Sequence, residues 1–167
     1  MRHLKAHRKL GRTTEHRMSM LRNMATSLVN AEKEHIITTV PKAKELRPFI
    51  EKAITLARKA QQLDGAEAKA QEVHLRRQAA RFFHAGNAKF KEEQSRFRGK
   101  KGEAKDPIER TAGVKALKRL FDELGVRYKD RNGGYTRIIR LGRRSGDNAE
   151  LAVIELVDNP RELAAKG

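Results

Sequence analysis

The sequence predicts an α+β fold: helices packed on one face of a small, about three-stranded mixed sheet, with a basic N-terminal arm and a basic helical or loop insertion. Three observations carry this expectation. Long stretches place apolar residues at helical spacing. Three short stretches are β-branched, and two of them flank a Gly/Asp/Asn loop near the C-terminus. Hydrophobic residues make up only 38% of the 167-residue chain, which suits a modest core with polar extensions.

The elements follow in order. Residues 1–12 show no apolar periodicity and read as an arm that orders only on a partner. Thr13 and Thr14 are N-cap types, and Glu15 suits a first turn. Met18, Leu21, Met24, Ala25 and Leu28 then form a helical stripe that Asn30 can end. His35 to Val40 is short and β-branched, as a strand should be. Pro41 fits the first turn of a second helix, whose face is Ala43, Leu46, Ile50, Ala53 and Ala57. Pro48 inside that pattern should kink or restart it. Residues 61–83 are rich in helix formers but thin in apolar residues. Residues 86–107 read as an insertion. Asp106 and Pro107 can cap and begin a helix with the stripe Val114, Leu117, Leu120, Phe121 and Leu124, and Gly125 can supply its left-handed stop. Tyr135–Leu141 and Glu150–Val157 read as a hairpin. The second strand is apolar on both faces, as a central strand would be. The expected organisation is an arm at 1–12, one α+β domain at 13–160 and a tail at 161–167.

Several chemistries fall away. The chain has no cysteine, which excludes disulfides, thiolate metal sites and thiol nucleophiles. No apolar run approaches the ~20 residues of a membrane helix, so no membrane partner is expected. The N-terminus lacks the apolar core of a secretory signal. It is basic like an organellar transit peptide, yet short and almost free of serine. His3 and His7 have helical ligand spacing, but their surroundings are strongly cationic and no metal is expected. Ser145 and Asp147 lie in a polar loop without a nucleophile elbow. GRRSG lacks the ending of a phosphate-binding loop. Phe82 and Phe83 read as packing residues, and Tyr135 as structural. No enzyme and no cofactor are expected.

Charge points to the partner. Lys and Arg number 38 against 21 Asp and Glu, for a net charge of +17. Such a surplus repels itself and is an asset beside a polyanion. It concentrates at two addresses. Residues 1–22 carry Arg2, Lys5, Arg8, Lys9, Arg12, Arg17 and Arg22 against Glu15 alone, and residues 127–144 carry a second basic run against Asp130 alone. The candidate RNA-binding residues are Arg2, His3, Lys5, Arg8, Lys9, Arg12, Arg17, Arg22, Arg137, Arg140, Arg143 and Arg144. Arginine forks suit phosphates. Gly11 lets the arm turn, and Gly142 and Gly146 permit close backbone approach beside Arg143 and Arg144.

Four stretches carry a family resemblance. MRHLKAHRKLGRTTEHRMSMLRNMATSLV resembles the start of the seventeenth protein of the bacterial large ribosomal subunit. HIITTVPKAKELRPFIEKAITLA is similar to that family's second block, KALKRLFDELGVRY to its last helix and GGYTRIIRLGRRSGDNAELAVIELV to its closing hairpin. The four are co-linear and cover just over half of the chain. The stretch at 86–107 looks like an extra insertion onto which nothing is carried. The resemblance implies a non-enzymatic constituent of the large subunit. It would bind large-subunit ribosomal RNA near the tunnel exit, beside the small thirty-second protein, in cytoplasmic rather than organellar ribosomes. No stable homo-oligomer is expected in the particle. The competing expectation is a free-standing nucleic-acid chaperone or nucleoid-type protein, which would explain the charge but not the four stretches.

Overall fold

The computed structural model describes residues 8–65, 67–84 and 111–166. Helix α1 spans Thr14–Asn30, and the Thr13 hydroxyl accepts from the His16 amide at 3.5 Å. Its expected stripe is buried at Leu21, Ala25 and Leu28, joined by Val29. Strand β1 covers His35–Thr39, and Val40 already opens α2, Val40–Ala60. Pro48 does not divide α2, which runs unbroken through it. Seven buried residues lie on either side of that proline, from Val40 to Ala57. At ~1.5–3 kcal/mol for each large side chain, their packing outweighs the roughly 3 kcal/mol cost of an internal proline. Helix α3 covers Ala68–Ala80. The helix cap expected at Asp106 and Pro107 lies outside the described residues, as does the 86–107 stretch.

The next helix departs from expectation. Helix α4, Ala112–Arg119, passes into a π-helical segment at Leu120–Leu124 and a last α-helical turn, α5, at Gly125–Arg127. Gly125 is not a left-handed stop, because its φ is −58° and it is itself helical. Its role is steric. A Cβ there would lie 3.1 Å from the Ala57 carbonyl oxygen, so glycine lets this helix seat directly on α2. The wider π turn buries Leu120, Phe121 and Leu124 together.

The sheet order is β1-β3-β2, with β2 at Thr136–Arg143 and β3 at Glu150–Leu156. Both pairings are antiparallel, which corrects the expected mixed sheet. The physical reason is connectivity: the short link after Arg143 turns β3 directly back on β2, and β1 also runs opposite to β3. The doubly apolar strand is central, as anticipated. Ile36, Ile154 and Ile138 stand in one cross-strand row, and α2 packs across all three strands. Ala152, Ile154 and Leu156 face this helical layer and are fully buried. The opposite face carries the row Ile37, Val153 and Ile139, of which Ile37 and Ile139 are exposed. A short helix, α6, spans Pro160–Lys166. The Asn159 Oδ1 caps it by accepting from the amides of Arg161 and Glu162. Among the described residues no helix is long and apolar enough to cross a membrane.

One buried charge ties the layers together. Glu34 is completely inaccessible and sits at φ 53°, in the left-handed region. Its Oε1 accepts from Arg119 at 2.7 Å and from Arg127 at 2.9 Å, and its Oε2 accepts from Arg127 at 2.6 Å. Arg119 also donates to the Val29 and Ala31 carbonyls at the end of α1. The Glu34 carbonyl accepts from the Leu156 amide at the end of β3. Replacing Glu34 by Gln keeps the shape and removes the charge, leaving two partly buried guanidinium groups without their shared counter-ion. Breaking a buried pair in this way costs about 3–5 kcal/mol. Urea unfolding of Glu34→Gln is expected to show a loss of that order; a loss below about 1 kcal/mol would mean that water already screens the trio.

Tyr128 supplies a second check. Its hydroxyl donates to the Val157 carbonyl at 2.6 Å, and its ring lies 5.0 Å from that of Tyr135. Burial pushes its pKa up to about 12. The folded state therefore holds this proton more tightly than the unfolded chain, whose phenol titrates near 10. The stabilisation is complete below about pH 10 and is lost as pH rises from about 10 to 12. The stability advantage of the native protein over Tyr128→Phe should shrink across that window and stay constant from pH 6 to 9, as read by urea midpoints.

Candidate nucleic-acid interface

The expected basic residues do not behave alike. Arg2, His3 and Lys5 lie outside the described residues, and so does the His3–His7 pair. The end of the arm is described. Leu10 and Gly11 adopt φ of 55° and 64°, and the Arg12 amide closes the turn on the Lys9 carbonyl at 3.2 Å. The turn expected at Gly11 is thus present. Within it the Arg12 Nη1 donates to the Leu10 carbonyl at 2.8 Å. Lys9 is exposed, and Arg8 comes within 3.9 Å of Glu45 on α2. That separation is at the limit of an ion pair, so most of the Arg8 charge stays open to solvent. Arg17 and Arg22 project from α1, and the Arg22 Nε donates to the Arg81 carbonyl at 2.9 Å.

In the hairpin, two of the four arginines are internally neutralised. Arg144 grips Asp147 with two bonds, at 2.9 and 2.5 Å, and holds the Asp147 carboxyl well below the usual carboxylate range. The loop is closed further by the Arg144 amide on the Ala149 carbonyl. Arg137 pairs with Glu155 across the strands and with Glu162 on α6. Arg140 and Arg143 form no ion pair among the described residues, and both are exposed.

A backbone irregularity brings this second couple together. Residues three apart on a regular strand face opposite sides. Here the pairing skips Leu141: Arg140 stands opposite Ala152, while Gly142 stands opposite Leu151 and Arg143 opposite Glu150. The bulge restores Arg143 to the face of Arg140. Gly142 has a φ of 106°, a conformation that side chains disfavour. Both arginines border a recess of about 200 Å³ lined also by Glu150 and by Val40, the first residue of α2.

The start of α2 is itself electropositive. Its 21 residues present the positive end of the helix dipole there, with no acidic residue in the first turn and no side-chain cap. Lys42 and Lys44 lie in the first turns. Arg8 comes within 3.9 Å of Glu45, five residues along α2 from Val40. The sequence signal for the lysines was the PKAK string, which reads as an ordinary helix start until the bulged strand is seen beside it. Among the described residues, no group of three or more His, Asp or Glu side chains is placed to hold a metal ion.

The family model described as ribosomal protein L17 matches residues 20–157. The chain is 46% identical, over its full length and 89% of the relative, to the large ribosomal subunit protein bL17 of Maricaulis maris. It is 45% identical to the bL17 protein of Bradyrhizobium diazoefficiens, over its full length and 90% of that protein. The Rhodopseudomonas palustris protein of the same name is 44% identical. These spans run through residues 86–107. With a family model over most of the chain and relatives this similar from end to end, the chain belongs to the ribosomal protein L17 family.

Proposed function

We propose that this chain is a structural constituent of the large ribosomal subunit and that it holds large-subunit ribosomal RNA at the N-terminal end of α2. The observation that carries the reading is the convergence of Arg140 and Arg143 on that helix end: Glu150 stands opposite Arg143 in the same recess, yet among the described residues neither arginine forms an ion pair. A helix N-terminus flanked by open guanidinium groups binds phosphate oxygens through amides, forks and dipole together. Family membership and a net charge of +17 support the same partner. Arg8, Lys9 and the residues before them continue the contact along the backbone of the RNA. Arg144 and Arg137 shape the hairpin instead. The role is architectural, not catalytic, and its setting is the cytoplasmic ribosome. Neighbouring large-subunit proteins, the small thirty-second protein among them, are its further partners. A free-standing nucleic-acid chaperone is the less favoured reading, since it leaves the family match unexplained.

Phosphate contacts release counter-ions, so binding to large-subunit RNA should weaken by roughly 0.7–0.9 log units per tenfold salt for each phosphate neutralised. The double variant Arg140→Ala, Arg143→Ala is expected to lower that slope by about one to two units with an unchanged circular dichroism spectrum. Arg144→Ala should leave the slope close to the native value, because its charge is already matched by Asp147. The reverse ranking would show that the RNA reads the tip of the hairpin and not the helix end.

A further inference from the structure

A groove of about 830 Å³ opens among α1, α2 and the end of α3. Its floor is apolar and includes Met18, Phe49, Leu56 and Phe82. The Phe49 and Phe82 rings meet edge to face, with centroids 4.9 Å apart. Both residues are only partly buried, although Phe83 beside them is fully in the core. The rim is cationic and drawn from three elements: Arg22 from α1, Lys52 from α2 and Arg81 directly after α3. The bond from the Arg22 Nε to the Arg81 carbonyl fixes that guanidinium at the rim, with its Nη groups left over. Glu51 is the acidic residue of the lining. Its Oε1 is taken by the amide and hydroxyl of Thr136, at 3.3 and 2.9 Å.

We infer that this groove receives one unstacked nucleotide of the large-subunit ribosomal RNA, with its base against Phe49 and Phe82 and its phosphate toward Arg22, Lys52 and Arg81. The inference rests on the RNA-binding reading above and adds a base-level contact to it. Charge complementarity selects the occupant. Three cations face one engaged carboxylate, which repels a basic protein segment and attracts an anion. The floor then needs something flat and weakly polar attached to that anion. A splayed nucleotide is both, and single-stranded RNA is recognised by this pairing of aromatic rings with guanidinium groups. The volume lies within the roughly 300–1,000 Å³ of small-ligand sites. Arg22 also makes the groove continuous with the basic face that begins in the arm. The pocket is distinct from the α2 N-terminus: Phe49 and Lys52 lie two to three turns further along the helix.

The test uses the full chain assembled into large subunits, with a benzophenone photocrosslinker introduced at position 52 in place of Lys52. The expected product is a crosslink to a single unpaired nucleotide. That base should also become more reactive to base-specific probes in subunits carrying Phe82→Leu, which keeps the packing volume but removes the ring. With free RNA, Phe82→Leu should bind about tenfold more weakly while its salt slope stays native, since stacking releases no counter-ion. Crosslinks confined to a protein neighbour or to residues 85–110 of this chain would overturn the inference. If native salt-dependent RNA binding persisted in that outcome, the helix-end site would still stand. Loss of all RNA binding by the native chain would remove both. Should Phe82→Leu fail to fold, Lys52→Glu with Arg81→Glu replaces it, both being exposed; unchanged reactivity of the crosslinked base in that variant would overturn the inference as well.

Discussion

The architecture hangs on the carboxylate of Glu34. It closes the turn after α1, immediately precedes β1 and anchors the end of β3 through its own backbone. Its side chain recruits arginines from α4 and α5, 85 and 93 residues away in sequence. The arrangement is costly to build, because a carboxylate is dehydrated and a non-glycine residue is held at positive φ. It survives because the carboxylate accepts three guanidinium hydrogen bonds and because Arg119 also donates to the open carbonyls of α1 and to Glu123. An apolar replacement would fill the space but would not specify which helix end meets which strand end. The trio therefore acts as a registration mark more than as a source of raw stability.

From that mark the candidate binding surface follows by geometry. Once β1 is placed, α2 must start at its end, since no linker separates Thr39 from Val40. Once β3 is placed, β2 lies on its far edge and carries Arg140 and Arg143 beside the same helix end. The interior ion trio and the exterior cations thus divide the arginines into two populations. Arg119, Arg127, Arg137 and Arg144 are matched to acids within the fold. Arg8, Arg140 and Arg143 face solvent with little or no compensation. Net charge alone does not distinguish the groups; the pairing pattern does.

Much of the fold was legible in the sequence, and the reasons are local. The stripe of α1, the β-branched run before Pro41 and the doubly apolar β3 each depend on a period that neighbouring residues express. Gly125 misled because it has a strong local meaning that tertiary packing overrode, with the Ala57 carbonyl against the glycine. Pro48 does not restart its helix, whose seven buried residues continue across it. The π-helical turn has no period to read. Glu34 was invisible because AEKEHI offers charged residues without hinting which one is buried. At the candidate site, Arg140 and Arg143 were named on composition, but strand alternation would have parted them. The skipped residue at Leu141 is a property of the pairing, not of the string.

That skipped residue also sets what kinds of length change the hairpin can absorb. Residues gained or lost beyond Arg143 would alter the loop, whose tip is closed by its own Arg144–Asp147 clasp, without moving the cationic couple. One residue gained or lost between Ile139 and Gly142 would invert the parity of everything that follows, carrying Arg143 to the far side of the sheet beside the exposed Ile37 and Ile139 row. The hairpin thus has a permissive end and an intolerant joint, separated by only a few positions. Divergence in this part of the chain should accumulate as loop variety beyond Arg143, while the spacing from Ile139 to Gly142 stays constant.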